Sequence, residues 1–169
     1  MEPINYKSFW DNKASTKTGA FIAVDGSANE EVARLTGAYT ARQVDCALAL
    51  APADRVLELG CGVGRIGREL APKVAHWEGA DISANMLGVA RDRLAGHANV
   101  GLTELRRSSL DGVAADSFSK AYCVAVFIHM RSISSSRRAS AHSTRCVFSV
   151  DGSTPCAVAS LLRYATKSS

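Results

Sequence analysis

The chain has 169 residues, 47% of them hydrophobic and 21% charged, with a net charge of +4. That length suits one domain with a sizeable core. No apolar run approaches the ~20 residues of a membrane helix, and the N-terminus "MEPINYKSFWDNKAS" lacks the basic-then-apolar order of a signal peptide, so a cytoplasmic protein is expected. The five cysteines, Cys46, Cys61, Cys123, Cys146 and Cys156, are odd in number and contain no C-x-x-C pair, which argues against a disulfide framework and a zinc site and for buried free thiols. No metal-ligand spacing is present.

In chain order, "SANEEVARLTG" opens with Ser27 and has Glu30 three residues on, the spacing of a capping box, with Gly37 placed to stop the helix. A second helix is expected over "AYTARQVDCALAL", ending before Pro52. "RVLEL" reads as a buried strand that stops at Gly60. A helix is expected from Arg65 to about Ala71, broken by Pro72, and "KVAHWEGADI" reads as a second strand. Ser83 can cap the helix "ANMLGVARDRLAG", where Met86, Ala90 and Leu94 recur four apart beside Leu87 and give one apolar face. "NVGLTEL" is a third strand, "LDGVAADSF" a loop or short helical turn, and "KAYCVAVFI" a fourth strand apolar enough to be buried on both faces. Such alternation predicts an α/β fold, doubly wound and mostly parallel, with ligands at the carboxyl ends of the strands.

The glycine loop after the first strand can be read two ways. Gly62, Gly64 and Gly67 satisfy G-x-G-x-x-G, the fingerprint of an NAD(P)-dependent oxidoreductase. Glu58, Gly60, Gly62 and Gly64 instead form E-x-G-x-G-x-G. A pyrophosphate would be repelled by a carboxylate fixed beside the loop. S-adenosylmethionine carries no phosphate but has a sulfonium and an ammonium that Glu58 can meet, and the glycines let its methionine part lie on the backbone. Asp81, 23 residues after Glu58, closes the second strand and can accept two hydrogen bonds from a ribose diol. Nicotinamide enzymes place an acid there too, so Asp81 alone does not decide. Ile82 and Met86 could flank an adenine ring, although Met86 also fits core packing.

"DRVLELGCGVGR" followed by "GADISANMLGVARDRL" closely resembles the class I S-adenosylmethionine-dependent methyltransferases, and "KAYCVAVFIHM" resembles their fourth strand and the loop after it. The resemblance spans Ala51 to Met130. It implies a Rossmann-like fold, with Glu58, Gly60, Cys61, Gly62 and Gly64 along the methionine part, Asp81 on the ribose, and Ile82 and Met86 at the adenine. The polar residue that the family often places after its third strand has only Ser108, Ser109 and Leu110 as counterparts. Tyr122 falls near the end of the fourth strand, where cofactor and acceptor approach. His129, at the expected mouth of the site, is the one candidate general base. It equally fits a loop histidine that shapes the pocket, because methyl transfer at an activated carbon is served largely by alignment.

Residues 1–50 are then expected to form a helical lid, with Tyr6, Phe9 and Trp10 over the acceptor or packed at the N-terminus. Residues 51–130 are the cofactor-binding core and 131–169 an atypical tail. The tail holds 11 serines, against 8 in the first 130 residues. It lacks the family's Pro-Gly-Gly-like turn; "CVFSV" suits a short strand and "CAVASLLRYA" a short helix. A shifted reading frame or truncation near Met130, a divergent folded remainder and a functional basic tail each fit. The first would leave the sheet cut after its fourth strand and a methyltransferase-like product without catalysis. Charge divides at the same point: residues 1–130 hold 14 Lys and Arg against 15 Asp and Glu, net −1, and the tail holds 6 against one, net +5, which together give +4. The domain therefore carries no polyanion footprint, which argues against a nucleic-acid partner and for a small-molecule methyl acceptor. Neither the acceptor atom nor an oligomeric state can be read from the residues.

Overall fold

A computed structural model describes residues 5–106 and 117–126, and the backbone of 145–149 and 158–160. Three helices lead: α1 (Tyr6–Lys13), α2 (Lys17–Asp25) and α3 (Glu30–Leu48). Each starts on a side-chain cap that satisfies a free N–H of the first turn: Asn5 accepts from Ser8, Thr16 from Gly19 and Asn29 from Glu31. The cap of α3 is thus Asn29 and not Ser27, whose hydroxyl accepts from the Asn29 N–H. The two helices expected around Gly37 are one. Gly37 lies mid-helix, and a Cβ there would sit 2.6 Å from the Arg65 carbonyl oxygen. This glycine serves close packing and does not stop the helix. The helix ends instead at Ala49, in a left-handed conformation at φ 48°.

The core alternates as expected: β1 (Arg55–Leu59), α4 (Gly67–Leu70), β2 (His76–Asp81), α5 (Ala84–Leu94), β3 (Val100–Glu104) and β4 (Lys120–Val124). Pro72 lies inside a 3-10 turn, Ala71–Lys73, that extends α4, and Lys73 belongs to that turn and not to β2. Ser83 caps α5 by accepting from the Met86 N–H. The fourth strand stops short of its expected end, where Ala125 turns left-handed at φ 58°.

The backbone adds β5 (Arg145–Ser149) and β6 (Val158–Ser160), giving one sheet in the order β3-β2-β1-β4-β5-β6. Strands β1 to β5 pair in parallel and β6 is antiparallel to β5. Residues 146–149 of "CVFSV" thus lie in a strand that pairs the outer edge of β4, so the sheet is not cut there. The helix expected over "CAVASLLRYA" is replaced at 158–160 by a strand, because the free edge of β5 offers backbone donors and acceptors that outweigh local propensity; the rest of that segment lies outside the described residues.

Two apolar clusters hold the domain. Val56, Trp77 and Tyr122 of the sheet pack with Val44 and Leu48 of α3, Leu70 of α4, and Leu87 and Leu94 of α5. Ala14, Phe21, Ala33, Val63 and Met86 join the leading helices to the glycine loop and α5. The chain leaves β3 and returns beside β1, so the switch point lies between β1 and β4, at whose carboxyl ends the glycine loop begins.

Candidate cofactor site

Gly60, Gly62 and Gly64 all have positive φ, at 68°, 53° and 69°. Side chains rarely adopt this backbone, and three such positions coil the chain tightly after β1. Four of the loop's donors are then spent internally. Gly60 and Cys61 donate to the Ala80 carbonyl at 2.7 and 3.2 Å, Gly64 donates to the Cys61 carbonyl at 2.9 Å, and Gly62 donates to Asp81 Oδ2 at 2.8 Å. A dinucleotide pyrophosphate needs such N–H groups free. With four of them taken and two buried carboxyls alongside, the loop does not suit the oxidoreductase reading.

Those carboxyls are Glu58, 2% exposed, and Asp81, 8% exposed. Burial pushes Glu58 up to about 8; the Tyr122 hydrogen bond and the Arg65 charge act in the opposite direction, and Asp81 adds to the rise. Burial also raises Asp81, against hydrogen bonds from the Ser83 and Gly62 N–H groups. Asp81 Oδ1 takes the Ser83 N–H at 2.9 Å. Both Asp81 oxygens are thus held by backbone N–H groups and keep lone-pair capacity. Two buried acids held above their ordinary range suit a ligand that brings a cation to one and hydroxyl donors to the other. On this chemistry the residues fit S-adenosylmethionine.

Around this pair, the Cys61 side chain faces the core, with Sγ against the space above Gly79, and burial keeps its thiol protonated. Ile82 is half-buried beside Asp81. Met86 is buried against the leading helices, in the cluster with Phe21 and Val63. Tyr122 lies mid-strand, opposite Glu58 in the β1–β4 register, and donates its hydroxyl to Glu58 Oε2 at 2.6 Å. Ser109, Leu110 and His129, with Ser108, lie outside the described residues.

Sequence reasoning missed the residues that tie the leading helices to this rim. Asp11 of α1 accepts from the Ser83 hydroxyl at 2.7 Å, and the Asp11 carbonyl accepts from Asn85 Nδ2 at 2.9 Å. Lys7 donates to the Ile82 carbonyl at 3.2 Å and to Glu104 at 2.7 Å. Asp25 of α2 pairs with Arg65 at 3.4 Å, and Val24 lies over Gly62, 3.2 Å from where a Cβ would stand. Polar residues on short N-terminal helices give no local sign of such distant partners.

A mostly parallel sheet in this order, with a glycine loop at the switch point and an acid at the carboxyl end of each of β1 and β2, defines a Rossmann-like methyltransferase fold. The methyltransferase-domain family model matches residues 56–148, more than half of the chain. The chain belongs to that family, among the class I S-adenosylmethionine-dependent methyltransferases, and S-adenosylmethionine is the cofactor of this class. Two solved structures agree on the fold. Magnesium protoporphyrin IX methyltransferase from Synechocystis, with bound S-adenosylhomocysteine, is 23% identical at a TM-score of 0.53, over 73% of this chain and 58% of that one. Phosphoethanolamine N-methyltransferase 1 from Haemonchus contortus is 15% identical at a TM-score of 0.50, over 70% of this chain and 24% of that one. A looser likeness is to the YcgJ protein of Bacillus subtilis, 25% identical at a TM-score of 0.46, over 50% of this chain and 37% of that one. The chain thus spans between about a quarter and three fifths of these proteins' lengths. No curated protein matches the sequence. No helix among the described residues is long and apolar enough to cross a membrane.

Proposed function

We propose that this chain transfers a methyl group from S-adenosylmethionine to a small-molecule nucleophile. The observation that carries the proposal is the pair of buried acids, Glu58 and Asp81, flanking a loop in which the N–H groups of Gly60, Cys61, Gly62 and Gly64 are already spent. Glu58 would hold the cationic amino end and Asp81 the ribose diol. Gly60, Gly62 and Gly64 would bring backbone against the methionine part, with Cys61 contributing through its main chain. Ile82 would contact the adenine, with Met86 behind the wall. Ser109, Leu110 and His129 stay as proposed contributors on the resemblance alone, His129 as an aid to acceptor deprotonation. The bound cofactor supplies the activated methyl; the chain's own part is to hold it and keep water from it.

The leading helices support a lid role for residues 1–50, since Val24 lies over Gly62 and Asp11 and Lys7 grip the segment after Asp81. The near-neutral balance of residues 1–130 supports a small acceptor over a nucleic acid. The test incubates the full chain with methyl-labelled S-adenosylmethionine and a panel of small oxygen, nitrogen and sulfur nucleophiles, with RNA and DNA in parallel. Label in a small acceptor is expected. Label only in nucleic acid would overturn the acceptor class, and cofactor binding without transfer to any acceptor would overturn the activity.

A further inference from the structure

Tyr122 stands beside Glu58, and its role rests on the cofactor reading of Glu58 given above. Glu58 lies on β1, between Trp77 on β2 and Tyr122 on β4. Trp77 Nε1 donates to the Tyr122 hydroxyl at 3.0 Å, and that hydroxyl donates to Glu58 Oε2 at 2.6 Å. Trp77 and Tyr122 are 0% and 1% exposed, so no solvent competes. Two glycines make the arrangement possible. Gly79 lies opposite Glu58 in the β1–β2 register, and a Cβ there would stand 2.5 Å from the Trp77 ring; a Cβ on Gly67 would meet the same ring from α4.

The direction of the chain follows from chemistry. An indole N–H donates and never accepts. It therefore fills a lone pair of the Tyr122 oxygen and leaves the phenolic proton for Glu58. Oε2 is an acceptor in both protonation states of Glu58, so a proton carried by Glu58 sits on Oε1.

We propose that Tyr122, held by Trp77, is a positioning residue that occupies Glu58 Oε2 and reserves Oε1 for the cationic amino end of the cofactor. Binding then exchanges one proton on Oε1 for that cation, and the proton leaves to solvent. The other groups that face Glu58 are Arg65 from the loop after β1, whose charge favours the anion, and Asp81 at the end of β2, whose charge opposes it. The Cys61 thiol stays protonated well above neutrality. Burial holds Glu58 at about 8, so the exchange falls within an accessible range.

The chain has two tryptophans, Trp10 and Trp77, so the nitrogen-15-labelled full chain gives two indole N–H signals. The Trp77 signal is expected to titrate with Glu58, at a midpoint near 8, and to stop titrating in Glu58→Gln. Saturating S-adenosylmethionine should remove the titration. Tyr122→Phe should weaken cofactor binding at neutral pH by about tenfold, the worth of one charge-assisted hydrogen bond. In the Glu58→Gln background it should cost nothing further. A Trp77 signal that is flat in the wild type, or still titrates in Glu58→Gln, overturns the relay. An equal loss from Tyr122→Phe in both backgrounds overturns it too, because Tyr122 would then touch the cofactor itself. A relay that titrates as described while S-adenosylmethionine neither binds nor alters it overturns the cofactor reading, and with it the assignment of Oε1.

Discussion

Gly62 donates its backbone N–H to Asp81 Oδ2 at 2.8 Å, across 19 residues of chain. The bond ties the glycine loop after β1 to the end of β2, so the acid proposed to hold the ribose also fixes the loop proposed to hold the methionine part. Asn at this position keeps one acceptor oxygen and turns an NH2 towards a backbone donor. Asp81→Asn should therefore lower S-adenosylmethionine affinity at least tenfold and destabilise the domain by ~1–3 kcal/mol, as for a buried donor left unsatisfied. Calorimetry and thermal melts on the same samples check both.

Gly37 and Gly88 should respond to the same substitution with opposite sign. Both lie inside helices, where alanine normally gains ~1 kcal/mol over glycine. A Cβ on Gly88 meets nothing within 4 Å, whereas one on Gly37 would stand 2.6 Å from the Arg65 carbonyl oxygen, backbone that cannot step aside. Gly88→Ala should raise the melting temperature and Gly37→Ala should lower it.

Ser83 serves two partners at once. Its oxygen accepts from the Met86 N–H at 3.2 Å and its hydroxyl donates to Asp11 at 2.7 Å. Ser83→Ala should cost ~1–2 kcal/mol in urea unfolding, the upper part of the range for a lost helix cap. Part of that cost should vanish in an Asp11→Ala background, because the second partner is already gone.

The pH dependence follows from Glu58. Its folded carboxyl stands at about 8 against an ordinary 4.5, so between those values the unfolded chain has released a proton that the folded chain keeps. Folding then binds protons, and stability falls as pH rises through this window. Asp81, also raised, adds in the same direction from its ordinary 3.8 upward. Asp11 and Asp54 are lowered from 3.8 and contribute the opposite trend only at acid pH. The melting temperature of the ligand-free chain should therefore decline from about pH 5 to about pH 8, and Glu58→Gln should flatten that decline. An unchanged slope in Glu58→Gln would remove Glu58 as its source.

What could be read from residues alone was what local pattern encodes. Ser83 announced its helix because cap and apolar face lie within one segment. That β1, β2, β3 and β4 alternate with helices was legible in sequence, as were the acids Glu58 and Asp81 from their places near strand ends. Gly37 misled because a glycine that stops a helix and one that admits a neighbouring backbone look alike until Arg65 is placed against it. The link from Trp77 through Tyr122 to Glu58 was hidden for a related reason. It needs β4 inserted beside β1, and nothing local to "KAYCV" says which strand that segment will join. Helices α1 and α2 carry weak apolar periodicity, and their contacts with Ser83, Glu104 and Arg65 are all distant in sequence.

The central claim is that the loop between Glu58 and Asp81 holds S-adenosylmethionine. Titration calorimetry on the full chain, with S-adenosylmethionine, S-adenosylhomocysteine and NAD, tests it most directly. The account predicts micromolar binding of the first two, little or none of NAD, and loss of binding in Asp81→Asn. A cooperatively folded sample that binds NAD in preference, or that binds S-adenosylmethionine equally well in Asp81→Asn, would contradict it.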